Sequence, residues 1–201
     1  MLKETGGSSR SRGTDASIAK LSVPVRIEFG EYMVRDWVEG DARSIARYAN
    51  NRSIAMWMRD GFPCPYTVSD AEAFLSLVLQ QNVRTAFALA TREEAVGGIG
   101  LEFGKDVHRF TAELGYWLGE PFWGRGIMTE AVSRFTAWAF EHFEAHRIHA
   151  TVFDGNGASV RVLEKAGFQR EGCLRASVFK NGRILDQFLY AKIRDGIVSG
   201  G

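Results

Sequence analysis

The chain has 201 residues, one domain's worth, and 45% of them are hydrophobic, enough to bury a substantial core. Its 25 basic and 24 acidic residues are intermixed and leave a formal charge of +1, so there is no electrostatic footprint for nucleic acid or a membrane surface, and partners are expected to be small or peptidic. No apolar run is long enough to cross a membrane, and Cys64 and Cys173 lie far apart without metal-ligand spacing, as suits ordinary thiols in a reducing cytoplasm.

Residues 1–25 read as a flexible N-terminal extension: up to Lys20 they hold Gly, Ser, Thr and charge, without the hydrophobic stretch of a signal peptide. A single domain is expected over 26–195, with 196–201 as a C-terminal tail. Tyr32 to Trp37 reads as a strand, Gly40 to Asn50 as a helix begun by Asp41, and a short helix lies near Ser53 to Met58. After a turn-rich loop from Gly61, Ser69 with Glu72 reads as the capping box of a helix whose core stripe is Phe74, Leu75, Val78 and Leu79. Strands are predicted at Thr85 to Ala90, Val96 to Phe103 and Ala112 to Leu118. A long helix follows from about Gly126 to Phe143, then a strand at Arg147 to Phe153 and a helix at Gly157 to Lys165. The chain closes with strands near Phe168 to Phe179 and Ile184 to Arg194, joined at Asn181-Gly182, a strong hairpin signal. The expected class is α+β, a mixed sheet with helices on both faces.

The most informative junction is the passage from the strand ending at Leu118 into the long helix. Gly124 and Gly126 allow the backbone conformations closed to other residues, with N–H groups free to face phosphate oxygens, and the helix adds the positive end of its dipole. Gly119 and Gly124 have the spacing of a nucleotide P-loop, but Arg125 and Gly126 replace its Lys and Ser/Thr, so there is no metal seat. A dinucleotide fingerprint also fits poorly, because Thr129 stands where its third glycine belongs. A pyrophosphate bound without an essential metal remains, as in coenzyme A. Trp123 reads as a packing plug. Arg125 suits a pyrophosphate, although a solvent-facing arginine would look the same. On the helix, Met128, Ala131, Phe135, Trp138 and Phe143 share the core side. His142, His146 and His149 have metal-like spacing, but Phe143 takes the place of the glutamate of a zinc-protease helix, and no metal is expected.

Several segments taken together resemble the GNAT acetyltransferase superfamily, in its RimJ/RimL branch of ribosomal-protein N-terminal acetylases. They are Met33-Val-Arg-Asp-Trp37, Asn50-Asn51, Pro65-Tyr-Thr, Asp70-Ala-Glu-Ala-Phe-Leu75, Glu113-Leu-Gly-Tyr-Trp-Leu118, Trp123-Gly-Arg-Gly-Ile-Met-Thr-Glu-Ala131, Asn156-Gly-Ala-Ser159 and Glu164-Lys-Ala-Gly-Phe168. Pro121 departs from the superfamily's usual Gln or Arg before the turn, as is common in this branch. The resemblance implies a central, mostly antiparallel sheet splayed between the fourth and fifth predicted strands, and transfer of acetyl from acetyl-CoA to a primary amine in a ternary complex.

Site residues follow from the same resemblance. Tyr116, Trp117 and Leu118 are implied to lie along the pantetheine arm, with their backbone N–H groups stabilising the thioester oxygen. Trp123, Gly124, Arg125, Gly126, Ile127 and Met128 are implied to hold the pyrophosphate. Asn156 is implied to bind pantetheine, or is simply a helix cap; Arg161 and Lys165 either face the 3′-phosphate or solvent. Glu113 is the candidate base or water-orienting carboxylate, or a strand-edge carboxylate. Many relatives have a tyrosine acid where Leu163 stands, so Ser159 is the candidate partner of the leaving sulfur, unless it serves only in capping. Trp57, Met58, Tyr66 and the closing hairpin are implied to line the acceptor groove. The acceptor is expected to be a protein N-terminal amine, with a polyamine, an amino acid or an antibiotic as alternatives. A coenzyme A-binding sensor or scaffold without turnover also stays open, and so does a homodimer.

Overall fold

The computed structural model describes residues 23–197; most of the expected N-terminal extension (1–22) and the last four residues of the expected tail lie outside them. A strand that the sequence reading passed over comes first: β1 (Arg26–Phe29) forms a hairpin with β2 (Tyr32–Arg35) around Gly30, whose φ is +54°. The signal was present, since Val25, Ile27 and Phe29 alternate with Arg26 and Glu28.

A 3-10 turn (Glu39–Asp41) leads into α1 (Ala42–Ala49). Asp41 was expected to begin this helix, but its carboxylate does not cap it. It is buried, takes Arg35 at 2.7 Å and accepts the Val38 N–H at 3.0 Å. Asn51 caps the start of the short α2 (Arg52–Ala55), accepting from Ser53 N–H at 2.7 Å, and this helix ends before the expected Met58. The next helix, α3 (Val68–Leu79), is capped by Thr67 and Asp70 in a reciprocal box, not by Ser69 and Glu72. The true cap lies two residues earlier, because either register offers a hydroxyl followed three residues later by an acid.

The remaining elements are β3 (Ala86–Ala90), β4 (Ala95–Phe103), β5 (Thr111–Leu118), α4 (Ile127–His142), β6 (Arg147–Phe153), α5 (Gly157–Lys165), β7 (Gln169–Lys180) and β8 (Arg183–Ile193). The eight strands form one sheet in the order β1-β2-β3-β4-β5-β6-β8-β7. Every pairing is antiparallel except β5 with β6. The β7–β8 turn at Asn181-Gly182 has both residues at positive φ, 51° and 76°, as predicted for this dipeptide.

Each face of the sheet has its own core. On one, Phe87 and Leu89 of β3, Val96, Ile99 and Leu101 of β4 and Ile148, Ala150 and Val152 of β6 pack with Ala131, Val132 and Phe135 of α4 and Leu163 of α5. On the other, Ala88 and Ala95 meet Ile45 and Ala46 of α1 and Ala71 and Leu75 of α3, together with Trp37. This is the expected two-faced α+β layering, and α4 presents the predicted stripe, with Phe135 stacked on Trp138.

The decisive feature is where pairing stops. β5 and β6 pair only at Thr111–Arg147, Ala112–Ile148 and Glu113–His149. Beyond Glu113, β5 stays on β4 as far as Gly97–Leu118, while β6 stays on β8 as far as Phe153–Gln187. Each strand is held from its outer side, and the two part into a V. β4 permits the close approach through glycine: a Cβ on Gly97 would lie 2.5 Å from the Trp117 carbonyl oxygen. The gap is the predicted splay of the fourth and fifth strands, which are β5 and β6 once β1 is counted.

Candidate active site

The V opens into a cleft of about 1280 Å³. That exceeds the roughly 300–1,000 Å³ of an ordinary small-molecule pocket, so it has room for two reactants. All the residues predicted for the site line it except Arg125.

At one end, Leu118 leads through a 3-10 turn (Glu120–Phe122) to the glycine turn. Gly124 and Gly126 have φ of +73° and +76°, and a Cβ on either would meet nothing within 4 Å. Backbone conformation is therefore what requires glycine here, as the sequence implied. Gly126 is the N-cap of α4 and has no side chain with which to cap it. The first-turn N–H groups, including those of Ile127 and Met128, are thus open to an anion at the positive end of a 16-residue helix. Trp123 is no buried plug: the residue is 43% exposed, and its indole N–H donates to the Leu118 carbonyl at 2.7 Å, strapping the turn to the end of β5. Arg125 points away and lies over the Tyr32 ring at 5.7 Å. Exposed Arg161 and Lys165 of α5 stand on the rim. Asn51 also donates to Glu120, which ties α2 to the cradle.

Along the V, past Glu113, alternate N–H and C=O groups of β5 face the gap without a strand partner. Asn156 caps α5, accepting the Ser159 N–H at 3.1 Å. The Ser159 Oγ lies 2.7 Å from the Tyr116 hydroxyl, which reaches across from β5. Burial pushes the Tyr116 phenol well above its ordinary value, against the opposing effect of Ser159. Leu163, where the resemblance implied a tyrosine in many family members, is fully buried in the core.

At the crotch, Glu113 Oε2 meets Arg59 Nη2 at 2.5 Å and Oε1 accepts from Thr151 Oγ1 at 3.1 Å. Arg59 also reaches Glu102 at 3.4 Å, the residue directly opposite Glu113 on β4. Two facing carboxylates on adjacent strands would repel, and Arg59 bridges them. Burial raises the Glu113 carboxyl, but the Arg59 hydrogen bond and charge, with Thr151 and His149, outweigh it and leave it below its ordinary value. His149, opposite on β6, is held below its own value by burial, and its Nδ1 is buried without a partner.

At the mouth, Trp57 and Met58 of the loop after α2 are part-buried, and a Cβ on Gly155 would lie 3.3 Å from the Trp57 ring, so this loop closes onto the β6–α5 turn. Tyr66 is buried, with Phe62 against it at 5.0 Å and Trp117 beyond Phe62 at 6.2 Å. Lys180, near the hairpin tip, reaches Asp60 of the same loop at 2.7 Å. Arg59, Thr151, Phe62 and the Tyr116 hydroxyl are the participants that sequence reasoning missed. Only Tyr116 carried a signal, as part of a motif already read for its backbone.

Among the described residues no group of His, Cys, Asp and Glu could hold a metal ion. His142 stacks on Trp138 and His146 on Phe110. No helix among them is long and apolar enough to cross a membrane.

The model of the Acetyltransferase (GNAT) domain matches residues 32–169. The uncharacterized N-acetyltransferase YoaA of Bacillus subtilis is 28% identical over 171 residues, covering 84% of this chain and 96% of its own. The ribosomal-protein-serine acetyltransferase of Escherichia coli is 31% identical over 116 residues, 58% of this chain and 64% of its own. The solved ribosomal-protein-S5-alanine acetyltransferase of Vibrio fischeri superposes with a TM-score of 0.75 at 27% identity, covering 86% of this chain and 98% of that one. RimL, a ribosomal L7/L12 α-N-protein acetyltransferase solved with coenzyme A, shares the fold with a TM-score of 0.75 at 20% identity over 86% of this chain and all of its own. With the splayed sheet, the uncapped α4 behind a glycine turn and a family match over most of its length, the chain belongs to the GNAT acetyltransferase family and is an N-acetyltransferase of that type.

Proposed function

We propose that the enzyme takes acetyl from acetyl-CoA and delivers it to the α-amine of a protein N-terminus, by direct attack in a ternary complex. The residues fit the coenzyme: the open N–H groups of α4 and the Gly124–Gly126 turn would hold its pyrophosphate, and the unpaired edge of β5 would run beside its pantetheine. When bound, acetyl-CoA supplies the acetyl group as a thioester. Direct transfer is supported by the lining, which among the described residues includes neither Cys64 nor Cys173. Both thiols are exposed and free, as suits a reducing compartment.

The observation that carries the choice of acceptor is the state of Glu113. A carboxylate tied to Arg59 and held below its ordinary range is a weak base, suited to orienting a water or an ammonium. Such a carboxylate is too weak a base to deprotonate a lysine amine near 10.4, whereas an α-amine, titrating at about 7.7–8.0, is partly neutral unaided.

The test is a labelled-acetyl assay with peptides bearing a free α-amine, peptides with only a lysine amine, and spermidine. Incorporation at the α-amine is expected, with kcat/KM rising to a plateau near pH 8. Labelling confined to lysine or to small amines would overturn the proposed acceptor, and the latter would move the function to metabolite or antibiotic modification. Coenzyme binding without transfer would favour a sensor.

A further inference from the structure

Leu163 is fully buried, so no side chain reaches the cleft from that position of α5. A hydroxyl does enter the cleft from β5. Of the tyrosines lining it among the described residues, Tyr116 is bonded to Ser159: its oxygen lies 2.7 Å from Ser159 Oγ and 3.4 Å from the Ser159 carbonyl. We infer that Tyr116 orients Ser159, donating its proton to the serine oxygen so that the serine's own proton points into the cleft toward the coenzyme sulfur. This rests on the acetyl-CoA reading above.

Three observations carry the inference. The phenol oxygen lies 2.7 Å from Ser159 Oγ and 3.4 Å from the Ser159 carbonyl, which can only accept, so a Tyr116 proton turned toward Ser159 meets an acceptor at both contacts and the hydroxyl is the nearer. Burial keeps the phenol protonated across the working range, which suits a fixed donor and disqualifies it as an acid. The serine backbone is independently pinned, because Asn156 takes its N–H. With its backbone held by its own helix cap and its oxygen held by a strand across the V, Ser159 stays at the cleft wall, where its own proton is free to turn inward. The splay makes this reach available: β6 leaves β5 after Glu113, so α5 rather than a strand faces Tyr116.

In the reaction the amine nitrogen forms a bond to the acetyl carbon, the carbon–sulfur bond breaks, and its electron pair stays on sulfur. The extra proton on nitrogen passes to water. The sulfur departs as a thiolate and accepts the Ser159 hydrogen bond, so the pair transfers no proton itself. Tyr116 is a positioning residue and acts through Ser159.

The test measures binding of coenzyme A and of desulfo-coenzyme A, which lacks the sulfur, from pH 6 to 10 by calorimetry. The proteins are the wild type, Tyr116→Phe, Ser159→Ala and the double variant. The wild type is expected to prefer coenzyme A increasingly above about pH 8, by roughly five- to tenfold, the worth of one charge-assisted hydrogen bond. Tyr116→Phe should lose most of that preference while binding desulfo-coenzyme A normally, which also shows that it folds. Ser159→Ala should lose all of it, and the double variant no more. In turnover, Tyr116→Phe should lower kcat several-fold at unchanged KM for acetyl-CoA. A wild-type preference retained in Tyr116→Phe, or none in the wild type, overturns the inference; failure to bind either ligand overturns the acetyl-CoA reading beneath it.

Discussion

Gly126 shows what one residue contributes. Its φ of +76° precedes an uncapped helix, and the space around it is empty, so an added methyl group would act on the backbone alone. Gly126→Ala is therefore expected to cost roughly 1–2 kcal/mol in stability and to weaken coenzyme binding, both measurable by thermal unfolding with and without ligand. His149 and Glu113 set the acid response. Burial holds His149 below its ordinary 6.5, so below that pH the unfolded chain binds the extra proton more readily and stability falls. Glu113 lies below its ordinary 4.5, so what its ionised form contributes is present above that value and is lost as pH falls through the depressed one. The melting temperature should decline in two stages from pH 7 to 3, and His149→Gln should flatten the first. His149 faces Glu113, Arg147 and Glu171, and their charges are already counted in its direction.

At the scale of elements, the start of α3 shows how a local signal misleads by two residues. Thr67 and Asp70 form the box, while Ser69 with Glu72 merely matches its spacing. Thr67→Ala should cost about 1 kcal/mol, within the usual range for a lost cap, and Ser69→Ala should change little; chemical denaturation of the two variants separates them. Asn181-Gly182 and the Asn156 cap were legible because turn and cap chemistry resides in a few adjacent residues. β1 was missed although its alternation was plain, because four residues beside an unstructured-looking N-terminus make a short pattern.

Across the whole molecule, two devices converge on the cleft. The cradle belongs to β5 and α4; the mouth is closed by the loop after α2, which holds Trp57 against Gly155, Arg59 to Glu113 and Asp60 to Lys180. Coenzyme A at a hundred times its Kd should stabilise the fold by about 2.7 kcal/mol, roughly 5–10 °C. Asp60→Asn should free the hairpin from the loop and raise the KM for the acceptor while leaving that for acetyl-CoA unchanged, since Asp60 bonds the hairpin and is not among the residues lining the cleft. Steady-state kinetics with each substrate varied in turn would show this.

The sequence by itself determined the two-faced α+β class, the glycine turn before a long helix, the absence of a P-loop metal seat and the family. Each is written in residues close together or in a periodicity that burial imposes on one element at a time. Tertiary structure alone decided how the site is wired. Tyr116 finds Ser159 across 43 positions, Arg59 finds Glu113 across 54 and Lys180 finds Asp60 across 120. No spacing encodes such pairs, because they exist only once β5 and β6, each held from its outer side, part and bring the two sides of the V within hydrogen-bond reach.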